Sequence, residues 1–251
     1  MKLQRFLHNT VRLAQYWQGI GSAGKPDSAA DRALLRQLEP GNRSLVIFDV
    51  GANRGRFLQL TLTRLAGHQT VVHAFEPSST AFSELWQRFG EKSGIVLNNF
   101  ALGSETGQQT LYFDVAGSEL SSLYRRKVEH HGISFTGSEP VRVDTLDGYC
   151  ATQGVTRIDL LKLDAEGHEL HILNGAGRMF GRGAIGMVSF EFGGCNIDSR
   201  TFVRDFFEFF ASRDMTLTRV TAAGKLYPVS GYEETLEQFR TTCFLAMRGS
   251  F

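Results

Sequence analysis

Carboxylates recur where short apolar runs stop, and they are the side chains here with chemistry to offer. Asp49 closes the run LVIFDV, and the following GANRGRF sets Gly51 and Gly55 in a GxxxG spacing that permits a tight turn and close backbone approach before a helix. One glycine of the GxGxxG that grips a pyrophosphate is missing, so an adenosyl ligand without phosphates suits the loop better. Glu76 closes the run VVHAF, 21 residues after Gly55. A carboxylate so placed can accept hydrogen bonds from both hydroxyls of an adenosine ribose, although a plain glycine turn and a helix-capping acid have the same form.

The run IDLLKLD, continued by AEGHEL, places Lys162 and Asp164 two residues apart and so on one face of a strand. Glu166 lies just beyond and His168 opens the next helix. Glu191 ends the run IGMVSFEF, and if the two strands are neighbours, Asp164, Glu166 and Glu191 converge on one side of the site. Charged groups at the ends of apolar strands are costly without partners. Lys162 can equally serve to neutralise Asp164, and Glu169 can be a solvated helix residue.

These positions need a scaffold, and the alternation of apolar runs with helical segments from Leu45 onward indicates a largely parallel α/β sheet. Strands are expected at Leu45 to Val50, Val71 to Phe75, Gly94 to Asn99, Ile158 to Asp164 and Ile185 to Phe192, each too continuously apolar for a one-sided sheet. TLYFDV and VRV, inside the long polar passage before the fourth of these, read as extra short strands. MTLTRV, GKLYPV and TTCFLAMR alternate as antiparallel strands closing one sheet edge. In such a sheet, ligands bind outside the carboxyl ends of the strands where strand order reverses.

Residues 1–44 read as a helical extension ahead of a domain covering 45–251. Lys2 to Gln18 form an amphipathic helix with Leu3, Phe6, Leu7, Leu13, Ala14 and Trp17 on one face and Arg5, His8, Arg12 and Gln15 on the other. Packing of the apolar stripe on the domain is the expected use; the basic face also permits contact with a membrane surface, and the helix can mediate a homodimer. GIGSAGKPDS reads as a linker before a short helix at Ala29 to Leu38. The helix carrying Phe202, Phe206, Phe207, Phe209 and Phe210 is expected in the core.

The chain of 251 residues carries 27 Lys+Arg against 26 Asp+Glu, with 42% hydrophobic residues and 20 Phe. That excludes a disordered chain or a disulfide-stapled miniprotein and argues against a nucleic-acid binder, which needs a basic surface. Cys150, Cys195 and Cys243 are far apart, with no CxxC pair, and read as core thiols of a reducing compartment. No apolar run reaches the roughly 18 residues of a membrane span, and the expected location is the cytoplasm.

FDVGANRG, AFEPSSTAFSEL, NNFALGSETGQQTLYF, VRVDTLDGY, IDLLKLDAEGHELHILNGA and VSFEF, in this order, resemble the FkbM family of S-adenosylmethionine-dependent methyltransferases. The similarity runs from about Leu45 to Phe192. It implies a Rossmann-like, seven-strand class I methyltransferase fold with a mostly parallel sheet and antiparallel C-terminal strands. It also implies a methyl donor and a hydroxyl acceptor, often on a sugar, glycan or natural product. Carried onto this chain, it implies that Asp49, Gly51, Ala52, Asn53 and Gly55 line the methionine end of the donor. Glu76 with Pro77 would hold the ribose, Asn99 and Ala101 would lie beside the adenine, and Ser122 would contact the donor or substrate.

An aliphatic hydroxyl needs a general base, and Asp164, Glu166 and His168 are the candidates, with Lys162 beside them. Alternatively Asp164, Glu166 and Glu191 are hard oxygen ligands that suit Mg or Mn. A nicotinamide-dependent oxidoreductase and a non-catalytic scaffold on the same fold are the rival readings.

Overall fold

The computed structural model describes residues 1–24, 29–38, 41 and 43–249. Along the chain run strands β1 (Leu45–Val50), β2 (Thr70–Phe75), β3 (Ile95–Asn98), β4 (Ala101–Gly103), β5 (Gly107–Phe113), β6 (Gly137–Thr145), β7 (Ile158–Leu163), β8 (Ile185–Phe192), β9 (Met215–Val220), β10 (Leu226–Pro228) and β11 (Thr242–Arg248). Between and before them lie helices α1 (Lys2–Trp17), α2 (Ala29–Arg36), α3 (Arg56–Arg64), α4 (Ser79–Phe89), α5 (Leu146–Gln153), α6 (Glu169–Asn174), α7 (Gly177–Gly181), α8 (Cys195–Ser199) and α9 (Val203–Ala211).

The main sheet has the order β10-β9-β11-β8-β7-β1-β2-β3. Pairing is parallel from β3 through β8 and antiparallel for β11 against both β8 and β9. This is the expected class I methyltransferase architecture, and β10, inside the segment GKLYPV expected as an edge strand, adds an eighth strand antiparallel to β9. Strand order reverses between β1 and β7, so the crevice outside their carboxyl ends is the place for a ligand. Both strands are buried on both faces, which is why they read as unbroken apolar runs.

The polar passage before β7 holds a second sheet, β4-β6-β5. Its β5 and β6 cover the two alternating segments expected there, whereas β4 has no counterpart among the expectations. Three residues, Ala-Leu-Gly, are too few to show a period.

The core has two layers. On one side Phe190 stacks against Phe206 at 4.4 Å between ring centroids and against Phe244 at 5.4 Å, with Phe210 at 5.7 Å. Helix α9 is thus core as expected through Val203, Phe206, Phe209 and Phe210, although Phe202, just ahead of it, is exposed. On the other side Leu34 and Leu35 of α2 pack with Ile47, Leu58, Leu85 and Leu160. Packing therefore continues across residue 44, and α2 shares the core of the sheet. Of the stretch read as a linker, residues 25–28 lie outside the described residues; residues 19–24 hold to the domain, with Ile20 buried and the Ala23 N–H donating to the Thr241 carbonyl at 3.3 Å.

Helix α1 departs from expectation. None of its residues is buried, so its apolar stripe does not pack on the domain. All three cysteines are free and buried. Among the described residues no helix is long and apolar enough to cross a membrane.

Truncating Phe190 to Ala removes the ring on which three others stack and lowers stability by about 3–5 kcal/mol in chemical denaturation. A loss below about 1 kcal/mol would show that the stack is not what joins α9 and β11 to the sheet.

Candidate functional site

Parallel strands β1 and β7 bring Asp49 and Lys162 into register. Lys162 Nζ lies 3.5 Å from Asp49 Oδ1 and 3.2 Å from Asp164 Oδ2. Burial works against the ammonium, but Asp164 and Asp49 more than offset it and raise the Lys162 pKa. Burial also raises Asp49, with Lys162 opposing and Asp164 adding to the rise. Both Asp49 oxygens are buried without a hydrogen-bond partner beyond this ion pair, as is Asn53 Oδ1.

The turn after β1 is tied to the second strand. The Gly51 and Ala52 amides both donate to the Phe75 carbonyl, and the Asn53 amide donates to Glu76 Oε2 at 2.8 Å. Glu76 Oε1 accepts from the Ser78 amide at 2.8 Å. Burial pushes the Glu76 carboxyl up to about 7, against the pull of those two amides. Gly51 has φ 81°, and a Cβ there would lie 1.9 Å from the Asp164 carbonyl oxygen. Its missing side chain lets the ends of β1 and β7 meet.

Beyond β7, Glu169 is no solvated helix residue. It is buried and accepts from the Ala165 amide at 2.8 Å and the Gly167 amide at 3.1 Å, folding residues 165–169 into a tight loop. Burial raises its carboxyl to about 7. In that loop Glu166 adopts a left-handed φ of 48°, sparsely populated by non-glycine residues, and pairs with Arg126. Ser122 Oγ donates to the Glu166 carbonyl at 2.8 Å.

Two cavities meet over the β1 and β7 ends. The more enclosed one is lined by Gly51, Asn53, Glu76, Pro77, Phe100, Ala101, Leu102, Ser122 and His168. The other is an open cleft of about 880 Å³ lined by Asp49, Ala52, Lys162, Glu191, Gly24 and Thr241, and also by Arg54, Arg56, Arg64 and Arg88. Asp164, Glu166, Gly51 and Asn53 line both. Strands β7 and β8 are neighbours, so Glu191 does face the same cleft as Asp164; its carboxyl is raised to about 8 by burial and then by Asp164.

Several expected site residues fall elsewhere. Gly55 lines neither cavity: a Cβ there would meet Phe89 and Leu85 of α4 within 2.7 Å, so this glycine serves helix packing. Asn99 also lines neither; its amide donates to the Glu76 carbonyl at 2.9 Å and to that of Pro77 at 3.2 Å, which steadies the loop after β2 from outside. Phe100 and Leu102, not singled out from the sequence, supply the apolar walls instead. His168 faces the enclosed cavity, stacked on His171 at 4.7 Å, and burial holds it down to about 3.

The metal set does not form. Among the described residues no three His, Cys, Asp or Glu side chains are grouped to hold an ion, because Arg126 occupies Glu166 and Lys162 occupies Asp164. Arg126, which also lies 3.9 Å from Asp198, was missed: it comes from a polar passage 40 residues before its partner, with no local signal.

A family model for the methyltransferase FkbM domain matches residues 49–217, and the chain belongs to that methyltransferase family of enzymes. It is 26% identical over 180 residues to the 2-O-methyltransferase NoeI of Sinorhizobium fredii, covering 65% of this chain and 69% of NoeI. Identity to the hexuronic acid methyltransferase AglP of Haloferax volcanii is 27% over 145 residues, covering 57% of this chain and 54% of AglP. A solved methyltransferase FkbM from Methylobacillus flagellatus KT superposes on 80% of this chain and 43% of its own length, with 16% identity and a TM-score of 0.48. The chain thus spans about half the length of AglP and less than half of that solved chain.

His168 and His73 are held neutral by burial, at about 3 and about 4. Unfolding returns both toward about 6.5, so the unfolded chain binds more protons in that window and stability is lost as pH falls through it. His168→Gln removes one share: its thermal midpoint drops less than the native one between about pH 6.5 and 4, and methyl transfer at neutral pH stays within about threefold. An unchanged acid limb, or a hundredfold loss of transfer (about 2.7 kcal/mol), would return His168 to the reacting centre.

Proposed function

We propose that this chain transfers the methyl group of S-adenosylmethionine to a hydroxyl of a sugar, glycan or related natural-product acceptor. One observation carries the reading: an enclosed cavity with a buried acid at the end of β2 opens onto a wide cleft, and Asp164 lines both. The names of the relatives support the acceptor class, since one is a 2-O-methyltransferase and the other acts on a hexuronic acid.

The residues present fit the donor. Asp49 and Asn53 keep buried polar atoms without hydrogen-bond partners at the methionine end, Glu76 faces the ribose position, and Phe100, Ala101 and Leu102 wall the adenine position. S-adenosylmethionine supplies an already activated methyl group, so the protein's work is alignment, exclusion of water and removal of the acceptor proton. Asp164 is the base, held by Lys162 at the seam. Glu166 is engaged by Arg126 and fixes the loop. Glu191, raised by burial, donates or accepts a hydrogen bond to the acceptor. The buried thiols fit a reducing cytoplasm.

Calorimetric titration with S-adenosylhomocysteine, and labelled methyl transfer to a panel of neutral sugars and uronic acids, separate the two roles. Glu76→Ala weakens donor binding by about 10- to 100-fold through loss of a buried hydrogen-bonding partner. Asp164→Asn leaves that affinity within about threefold and lowers turnover by about 10²–10⁴-fold. Equal loss of donor affinity in both variants, or binding of NADH in place of S-adenosylhomocysteine, sinks the assignment.

A further inference from the structure

We propose that α1 docks the protein on an anionic lipid bilayer and holds the open cleft beside that surface. The interaction stands on different residues from the methyl-transfer reading. Helix α1 has a clean division of faces. Leu3, Phe6, Leu7, Val11, Leu13 and Trp17 form one apolar arc, and each is between 46% and 67% exposed. Lys2, Arg5, His8 and Arg12 lie on the other side, and the helix contains no Asp or Glu.

The helix meets the domain at its C-terminal end, where Gln15 Nε2 donates to Gln238 Oε1 at 3.1 Å and Arg240 Nη1 donates to Gln15 Oε1 at 2.8 Å. Residues 2 to 14 are exposed on every side, so the apolar arc and the basic face are both open to solvent. Exposed aromatic and leucine side chains opposite a basic face suit insertion at the headgroup boundary, the rings and leucines in the acyl region and the cations toward lipid phosphates. Sixteen residues make a helix of about 24 Å, short of a bilayer core of about 30 Å, so it lies in the interface plane.

Charge points to a lipid surface: Lys2, Arg5, His8 and Arg12 with no carboxylate in the helix complement anionic headgroups. The attachment of α1 also points to the cleft. The segment after it is pinned by the Gly24 amide, which donates to Glu191 Oε1 at 3.2 Å, and Gly24 and Thr241 form part of the cleft wall. A bilayer bound by α1 therefore adjoins the acceptor side of the molecule, where a membrane-borne acceptor is within reach.

Flotation of the full chain with phosphatidylcholine vesicles, with and without about a quarter phosphatidylglycerol, tests this. The expected result is binding to the anionic vesicles only, weakened by salt. Phe6→Glu with Leu13→Glu abolishes it, and Arg5→Gln with Arg12→Gln weakens it about tenfold or more. Both variants keep native affinity for S-adenosylhomocysteine, which shows that they are folded and separates this outcome from failure of the donor assignment. Absence of flotation, equal binding to neutral vesicles, or a dimer in sedimentation that Phe6→Glu dissolves would each overturn the proposal.

Discussion

An ammonium buried in a parallel sheet is the constraint against which the rest of the site is set. Lys162 stands opposite Asp49 in the β1 and β7 register and reaches Asp164 at the strand end. Take the amine away and Asp49 has no partner among the described residues, where its oxygens accept no hydrogen bond. Breaking such a buried pair leaves an uncompensated carboxyl in a poorly solvated place, at a cost of about 3–5 kcal/mol. Asp49, Asp164 and Glu191 share the field of one ammonium, and burial with their mutual repulsion raises the Asp49 and Glu191 carboxyls.

Around this fixed point, two loops are held by the same device. Glu76 gathers the amides of Asn53 and Ser78, and Glu169 gathers those of Ala165 and Gly167. Each is a buried carboxyl with its oxygens spent on backbone N–H groups, so each loop has a shape set from within. Both carboxyls are raised to about 7 by burial. An acid whose folded pKa lies above its unfolded one loses its stabilising contribution as pH rises from about 4.5 to 7. Rigidity of these loops is thus maintained against a desolvation penalty that a ligand's hydroxyl groups can share.

What was legible in the sequence divides along physical lines. Strands β1, β2, β7 and β8 are buried on both faces and show as continuous apolar runs, and the acids at their ends stand out against that background. The glycines after β1 were legible as glycines but not in purpose, because the atoms they make room for, the Asp164 carbonyl and the Phe89 ring, are distant in sequence. Asn99 sits at the right strand end, yet its amide turns back to two carbonyls of its own loop neighbourhood. Arg126 carried no local signal, since its partner Glu166 is brought to it only by the fold. Amphipathic period located the face of α1 but says nothing of what covers it, and here the contact with the domain falls to Gln15 near the helix's C-terminal end.

The two cavities differ in what they ask of the chain. The enclosed one is built from strand ends and hydrogen-bonded turns of the parallel sheet, so its contents follow from the fold shared across the family. The open cleft is bounded by pieces the fold does not dictate: Gly24, the arginines of α3 and its entry loop, and Thr241 ahead of β11. Fold alone does not determine an acceptor. Arg54, Arg56, Arg64 and Arg88 line that cleft together with Glu119, Asp164 and Glu191, and Arg56 is already engaged by Glu119, so what distinguishes one occupant from another must come from how these charges are shared within it.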